Sequence, residues 1–300
     1  MIDFTNKIYT DKEAAREHLE SIRWPNGPYC PHCGEAENVK PLEGKSHRPG
    51  LHKCYSCKGH FSVTVGTVFE RSKIPLNKWI LAAHLMASSK KGISAHQLHR
   101  TLGVTYKTAW FMEHRLREAM REKFQPKMGG GGSFVEVDET YIGQHKPRPG
   151  KRKSAYDQEK VITLVERDGR ARSFHVNSVN SDTVRKILHE QIAGDSAIMT
   201  DEAPIYKNPV KDFFAGHGSV NHSVNEYVRG PIHTNTIEGF FSILKRGING
   251  TYQHCSARHL KRYLAEFDFR YTYREKTGYN DEQRAEMLLK GISGKRLMYN

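Results

Sequence analysis

An amphipathic pattern between residues 235 and 249 is the clearest periodic signal in the chain. Ile237, Phe241, Leu244 and Ile248 recur at helical spacing on one side, and Asn235, Glu238, Ser242, Lys245 and Asn249 form the adjoining polar stripe. Helical periodicity also covers residues 11–21, 76–87 and 257–273, the last on a frame of Leu260, Tyr263, Leu264 and Phe267. Two further helices adjoin between these, with Ser94 and Thr105 at N-cap positions and Gly103 ending the first. From residue 134 the period changes to two. Residues 134–141, 161–166, 173–176 and 197–200 predict strands, the second and third joined across the turn Asp168-Gly169. A helix capped by Ser181 or Asp182 runs to about Ile192. Residues 61–68 alternate and predict another strand, and residues 281–291 a short helix before a frayed tail.

Four consecutive glycines, Gly129 to Gly132, lose too much conformational freedom to sit in a regular element and read as a linker. The expected organisation is an N-terminal helix and small cysteine-bearing module over 1–70, a helical unit over 71–128, the glycine linker at 129–133, a mixed α/β domain over 134–280 and a tail over 281–300. No apolar run reaches the roughly 20 residues that span a bilayer, and no secretory signal opens the chain. A membrane partner is not expected, and a cytoplasmic location is.

Charge and cysteines sharpen this picture. Across 300 residues, 47 Lys and Arg against 33 Asp and Glu give a net charge of +14, an excess that points to a polyanion, nucleic acid before membrane. Helix, short glycine-containing turn, helix is the spacing of a helix-turn-helix. The leading end of its second helix, which meets base edges, carries Tyr106, Lys107 and Thr108. Further basic groups suited to phosphate contact are Lys146, Arg148, Lys151, Arg152 and Lys153 in a Pro/Gly loop, Arg246, and Arg258, Lys261 and Arg262. A solvated charged face is the alternative for each. Of five cysteines, Cys30 and Cys33 form one C-x-x-C pair and Cys54 and Cys57 a second, at the separation of a four-cysteine zinc site. With all four positions filled by protein, such a Zn²⁺ is structural, and a module this small depends on it for folding. A redox C-x-x-C is the alternative, and Cys255 is left as a semi-buried thiol.

Three acids complete the reading. Asp138 lies at the centre of the first strand of the α/β domain, Asp201 closes the fourth, and Glu238 is on the amphipathic helix. If the first and fourth strands pair, the two aspartates lie side by side and the helix can bring Glu238 down on them. Three converging carboxylates repel unless a cation joins them, and hard oxygen ligands suit Mg²⁺ or Mn²⁺. Two such ions support phosphodiester chemistry. Glu136 shares the strand face of Asp138 and competes with it for this assignment, whereas Glu139 points to the other face.

The runs VEVDETYIG, MTDEAPIY and HTNTIEGFFSILKRGINGTY resemble the catalytic blocks of DDE-type insertion-sequence transposases, specifically the group with an N-terminal zinc ribbon and a DD(E/N)K signature. The resemblance implies an RNase H-like catalytic domain behind the zinc ribbon and helix-turn-helix-like unit. It further implies that Asp138, Asp201 and Glu238 are ligands for Mg²⁺ or Mn²⁺ and that Lys245 holds the DNA end. The third acid of that group is Asn or Glu, and Asn235 lies on the same helical face as Glu238. Glu238 is favoured because a carboxylate binds a hard cation better than an amide, and Asn235 assists. His233 either touches a phosphate or is a loop histidine. The implied activity is cleavage at transposon ends and transfer of their 3′-hydroxyls to target DNA, by a homodimer or larger assembly associated with the nucleoid. A nuclease without strand transfer, and a zinc-containing DNA-binding regulator with no catalysis, are the alternatives.

Overall fold

The computed structural model describes residues 3–122, 125–143, 158–211, 216–220 and 228–297. They divide into two units, one of Met1–Ser89, Ile93–Glu122 and Tyr279–Asn300, the other of Lys90–Gly92 and Lys123–Gly278.

In the first unit a single turn, α1 (Lys7–Thr10), leads into α2 (Lys12–Arg23), whose opening amides at Glu13 and Ala14 donate to the Asp11 side chain. A three-stranded antiparallel sheet follows: β1 (Val39–Pro41), β2 (His52–Cys54) and β3 (His60–Phe61). Strand β3 stops at Phe61 instead of continuing to Val68 as the alternation predicts. Val65 N donates to Ser62 O and Thr67 N to Thr64 O, which turns the chain, and Gly66 takes φ +71°. Helices α3 (Leu76–Ser88), α4 (Ala95–Leu102) and α5 (Tyr106–Met120) complete this segment. Ser94 and Thr105 accept from the amides of Gln97 and Thr108, and Gly103 ends α4 in the left-handed conformation. These capping signals all operate as the sequence predicts.

The second unit holds β4 (Phe134–Ile142), β5 (Glu159–Glu166), β6 (Ala171–Val176), α6 (Ser181–Gln191), β7 (Ala197–Asp201), α7 (Pro204–Lys207), β8 (Gly216–Val220), a small hairpin β9 (Val228–Arg229) and β10 (Ile232–His233), α8 (Asn235–Arg246), a π-helical turn (Gly247–Tyr252) and α9 (Ala257–Thr272). The cap of α6 is Asn180, one residue before the predicted pair, and it accepts from Thr183 N. The main sheet has the order β6-β5-β4-β7-β8. Strand β5 is antiparallel to both its neighbours, and β4, β7 and β8 run parallel. This mixed five-stranded sheet, covered by helices on both faces, is consistent with an RNase H-like transposase domain. On one face Val161, Val165 and Ala171 pack under Ile237, Phe241 and Leu244 of α8 and Leu260, Leu264 and Phe267 of α9. On the other, Val135, Val137, Ile162 and Leu164 pack with Val184 and Leu188 of α6 and with Tyr206. The four residues of the predicted apolar stripe of α8 are all buried.

The glycine run is a docked turn. Gly129, Gly131 and Gly130 donate their amides to Glu166 Oε1 (2.7 Å), Asp195 Oδ2 (2.7 Å) and Ser196 Oγ (2.9 Å). All four glycines have positive φ, between +59° and +95°, a region costly for any residue with a Cβ. The need is left-handed backbone, not slack.

Helix α10 (Asp281–Lys290) opens with a capping box formed by Asn280 and Gln283 and packs in the first unit against α2, α3 and α5. Its residues Leu288 and Leu289, and Ile292 beyond it, are buried. Val68 N donates to Ile292 O, and Thr67 forms a bridge with Ser293. Among the described residues no helix is long and apolar enough to cross a membrane.

Candidate active site

Strand β4 is central in its sheet, and Asp138 sits midway along it, opposite Thr163 of β5. On the other side β4 runs parallel to β7, with Phe134 opposite Ala197, Val135 opposite Ile198 and Glu136 opposite Met199. Continued by two residues, this register sets Asp138 level with Asp201, the last residue of β7. Directly opposed residues share a sheet face. Glu136, Asp138 and Thr140 therefore lie on the face of their partners Val165, Thr163 and Val161, which is the face covered by α8 and α9.

Glu238 is in the first turn of α8, exposed beside the buried Ile237. Burial first, then the charges of Glu139 and Asp201, with a smaller contribution from Glu238, push the Asp138 carboxyl up to about 8, against the opposing hydrogen bond from Glu139 N. The three predicted acids are thus electrostatic neighbours. Their oxygens do not draw into a tight cluster, however. Among the described residues, the one metal-competent group whose ligand atoms all lie within 4.8 Å of one another is the cysteine set. Mutual repulsion of carboxylates is the physical reason to expect such spacing. Asp201 Oδ1 also accepts from Ala203 N (3.0 Å), at the turn into α7.

The glutamates flanking Asp138 are both engaged elsewhere. Glu136, with no exposed surface, accepts from Arg167 Nε (2.8 Å) through Oε1 and from Ile237 N (2.9 Å) through Oε2. Glu139 lies on the opposite face, as alternation predicts, and accepts from the Tyr206 hydroxyl. Burial raises the Glu139 carboxyl above the ordinary range, the Tyr206 bond counteracts this, and Asp201 adds to the rise. Sequence reasoning did not find Arg167 or Tyr206. Neither carries a local signal: Arg167 merely precedes the Asp168-Gly169 turn, and Tyr206 follows Asp201 by five positions.

Asn235, Lys245 and Arg246 are exposed on α8, with Arg246 Nε donating to Ser242 O (3.1 Å). His233 is turned inward, its Nδ1 3.2 Å from Glu136 Oε1. On α9, Arg258 and Lys261 are exposed, and Arg262 Nη1 lies 3.0 Å from His259 Nδ1. Arg270 of the same helix is buried against Glu266, which also accepts from the Tyr252 hydroxyl. Lys146, Arg148, Lys151, Arg152 and Lys153 lie outside the described residues. In the first unit Tyr106 and Lys107 are exposed at the leading end of α5, Thr108 is half-buried, and the Tyr106 ring stacks on His96 with centroids 4.3 Å apart.

The cysteines form a second site. Cys30 and Cys33 follow α2, while Cys54 ends β2 and Cys57 occupies the next turn. The sulfurs of Cys30 and Cys57 are 3.6 Å apart and those of Cys33 and Cys54 3.7 Å apart, and all are free thiols. A tetrahedral zinc with Zn–S near 2.3 Å has S···S edges of roughly 3.8 Å, so the constellation fits a structural Zn²⁺.

Comparison with known proteins finds a relative for the segment carrying each site. Residues 10–60 match the transposase zinc-ribbon domain, and residues 128–272 match the ISXO2-like transposase domain. A protein of Halobacterium salinarum, described as an uncharacterized protein in transposable element ISH50, is 29% identical over 280 residues, covering 88% of this chain and 92% of its own length. The two domain matches together span most of the chain, and the chain belongs to the transposases that join a transposase zinc ribbon to an ISXO2-like transposase domain.

Proposed function

We propose that this transposase binds the terminal repeats of an insertion sequence, cleaves the 3′ ends by metal-dependent phosphodiester hydrolysis and joins the freed 3′-hydroxyls to target DNA. The observation that carries the reading is the parallel register that levels Asp138 with Asp201 on the sheet face beneath α8, together with the elevated Asp138 carboxyl. The donors offered are oxygens only, which suit a hard divalent cation. An acid held protonated by burial, and further by its acidic neighbours, is one that a cation would relieve. Asp138, Asp201 and Glu238 would hold Mg²⁺ or Mn²⁺. Bound there, the ions supply activation of the attacking water or 3′-hydroxyl and stabilisation of the leaving oxygen.

Glu238 is preferred over Asn235 as third ligand because its charge is felt at Asp138. Lys245 lies two helical turns beyond Glu238 and is exposed, suited to hold a phosphate of the transposon end. Tyr106, Lys107 and Thr108 at the leading end of α5 would read the terminal repeat, with Arg246, Arg258 and Lys261 supplying backbone contacts. Joining two ends requires two copies of the site, so we expect a homodimer or larger assembly on DNA.

The test is an in vitro assay with DNA carrying the inverted repeats that flank the gene, in Mg²⁺ or Mn²⁺. The parent should give 3′-end cleavage and joined products. Asp138→Ala, Asp201→Ala and Glu238→Ala should give neither, while Asn235→Ala should retain partial activity. Cleavage without joining in the parent would mean a nuclease. Loss with Asn235→Ala but not Glu238→Ala would reassign the third ligand.

A further inference from the structure

We propose that Glu136 is a positioning residue that fixes the helix carrying Glu238 to the strand carrying Asp138. This rests on the reading of those two acids as metal ligands. Helix α8 begins without help from its own N-cap. Thr234 makes no side-chain cap bond to the helix amides, and its hydroxyl instead donates to Glu238 Oε1 (3.2 Å). The first turn of a helix leaves amides unsatisfied. Here the Ile237 amide is satisfied by Glu136 Oε2 at 2.9 Å, from a strand 101 positions away in sequence.

Three features make this bond a rigid one. Glu136 has no exposed surface, so water does not compete for it. Its Oε1 is paired with Arg167 Nε at 2.8 Å, and Arg167 in turn donates from Nη2 to His233 O (3.1 Å), just before α8 begins. A buried carboxylate is costly unless paired and hydrogen-bonded. This one has a guanidinium and a backbone amide, and the positive end of the helix dipole favours it further. Both oxygens are occupied and the charge is matched, so Glu136 is not the ligand that its face on β4 first suggests.

The geometric consequence concerns its neighbours. Asp138 is two residues further along β4 on the same face, roughly 7 Å away at strand rise. Glu238 immediately follows the anchored Ile237. One side chain therefore sets the separation and the rotational phase of the two acids. Outer-shell partners of metal ligands typically alter metal affinity 10- to 100-fold when removed.

The experiment uses the full chain, zinc-loaded and free of other metals. Hydrogen exchange is read on peptides covering residues 232–240, and Mn²⁺ affinity is read by titration calorimetry. Glu136→Ala should speed exchange in this segment at least tenfold and leave α6 peptides unchanged. It should also weaken Mn²⁺ binding by about 10- to 100-fold and cause no further loss in a Glu238→Ala background. Glu136→Gln, which keeps a carbonyl acceptor for Ile237 N, should keep the protection and stay within a few-fold of parental affinity. This variant decides the matter if Glu136→Ala fails to fold. The proposal is overturned if the losses from Glu136→Ala and Glu238→Ala multiply, if protection at 232–240 is unchanged in Glu136→Ala, or if Glu136→Gln loses Mn²⁺ while keeping protection. If neither Asp138→Ala nor Glu238→Ala alters Mn²⁺ binding, the metal reading fails, and exchange at 232–240 still decides the anchor.

Discussion

Asp138→Asn should stabilise the Mg²⁺- and Mn²⁺-free protein at neutral pH. The Asp138 carboxyl is raised from 3.8 to about 8 in the folded chain, first by burial and then by the Glu139 and Asp201 charges. Between those two values the folded state holds a proton that the unfolded state releases, so folding stability falls as pH rises from about 4 to about 8. At pH 7 the span from the unfolded value is about 3 units, and at 1.36 kcal/mol per unit this penalty is at most about 4 kcal/mol. An asparagine does not titrate and escapes it. At roughly 2–4 °C per kcal/mol for a domain of this size, the gain in Tm at pH 7 is up to about 16 °C. The assay is thermal unfolding of parent and variant from pH 4 to 8, without chelator so that the cysteine site keeps its metal. The parent should lose stability across this range relative to the variant, the two curves converging toward pH 4. Millimolar Mn²⁺ should then raise the parent Tm at pH 7 and leave the variant unmoved, because the cation takes the place of the proton. Equal pH slopes for the two proteins would refute the reasoning, since Asp138 would then titrate like an ordinary surface carboxyl.

Metal analysis should find one zinc per chain, and Cys57→Ser should abolish its tight binding and the exchange protection of β1 to β3; persistence of both would refute the four-sulfur site. Gly131→Ala meets no atom within 4 Å but holds φ +59°, so it should cost about 1–2 kcal/mol by backbone strain alone. Gly129→Ala, whose added carbon would lie 2.1 Å from Ser196 Oγ, should cost more, both variants being read by urea denaturation against the parent. Lys107→Ala should lower the slope of log affinity against log salt by roughly 0.9 on end DNA, as read by fluorescence anisotropy across a salt series.

Much of this architecture is legible in the sequence because its signals are local. Ser94 and Thr105 cap the helices they precede, and the stripe of Ile237, Phe241, Leu244 and Ile248 is buried as its spacing requires. The sulfur pairs also announce themselves. What escapes is long-range or conformational. Nothing near Glu136 tells of an amide 101 positions on, and nothing near Glu139 tells of the Tyr206 hydroxyl. The glycine run reads as slack because composition cannot distinguish a need for left-handed backbone from a need for freedom. Residues 61–68 carry β propensity, yet hydrogen bonds within Ser62 to Thr67 turn the chain. Arg270 looks like its basic neighbours on α9 and is drawn inward by Glu266, one turn before it.

Helix α10 has a consequence for how the protein comes into being. Helices α2, α3 and α5 are roofed by α10, with its Leu288 and Leu289 and the following Ile292, which a ribosome delivers only long after it has made those helices. A fragment ending at residue 122 would leave the α3 surface bare and sticky, whatever DNA contacts it retained. Products truncated before α10 should therefore aggregate or be degraded.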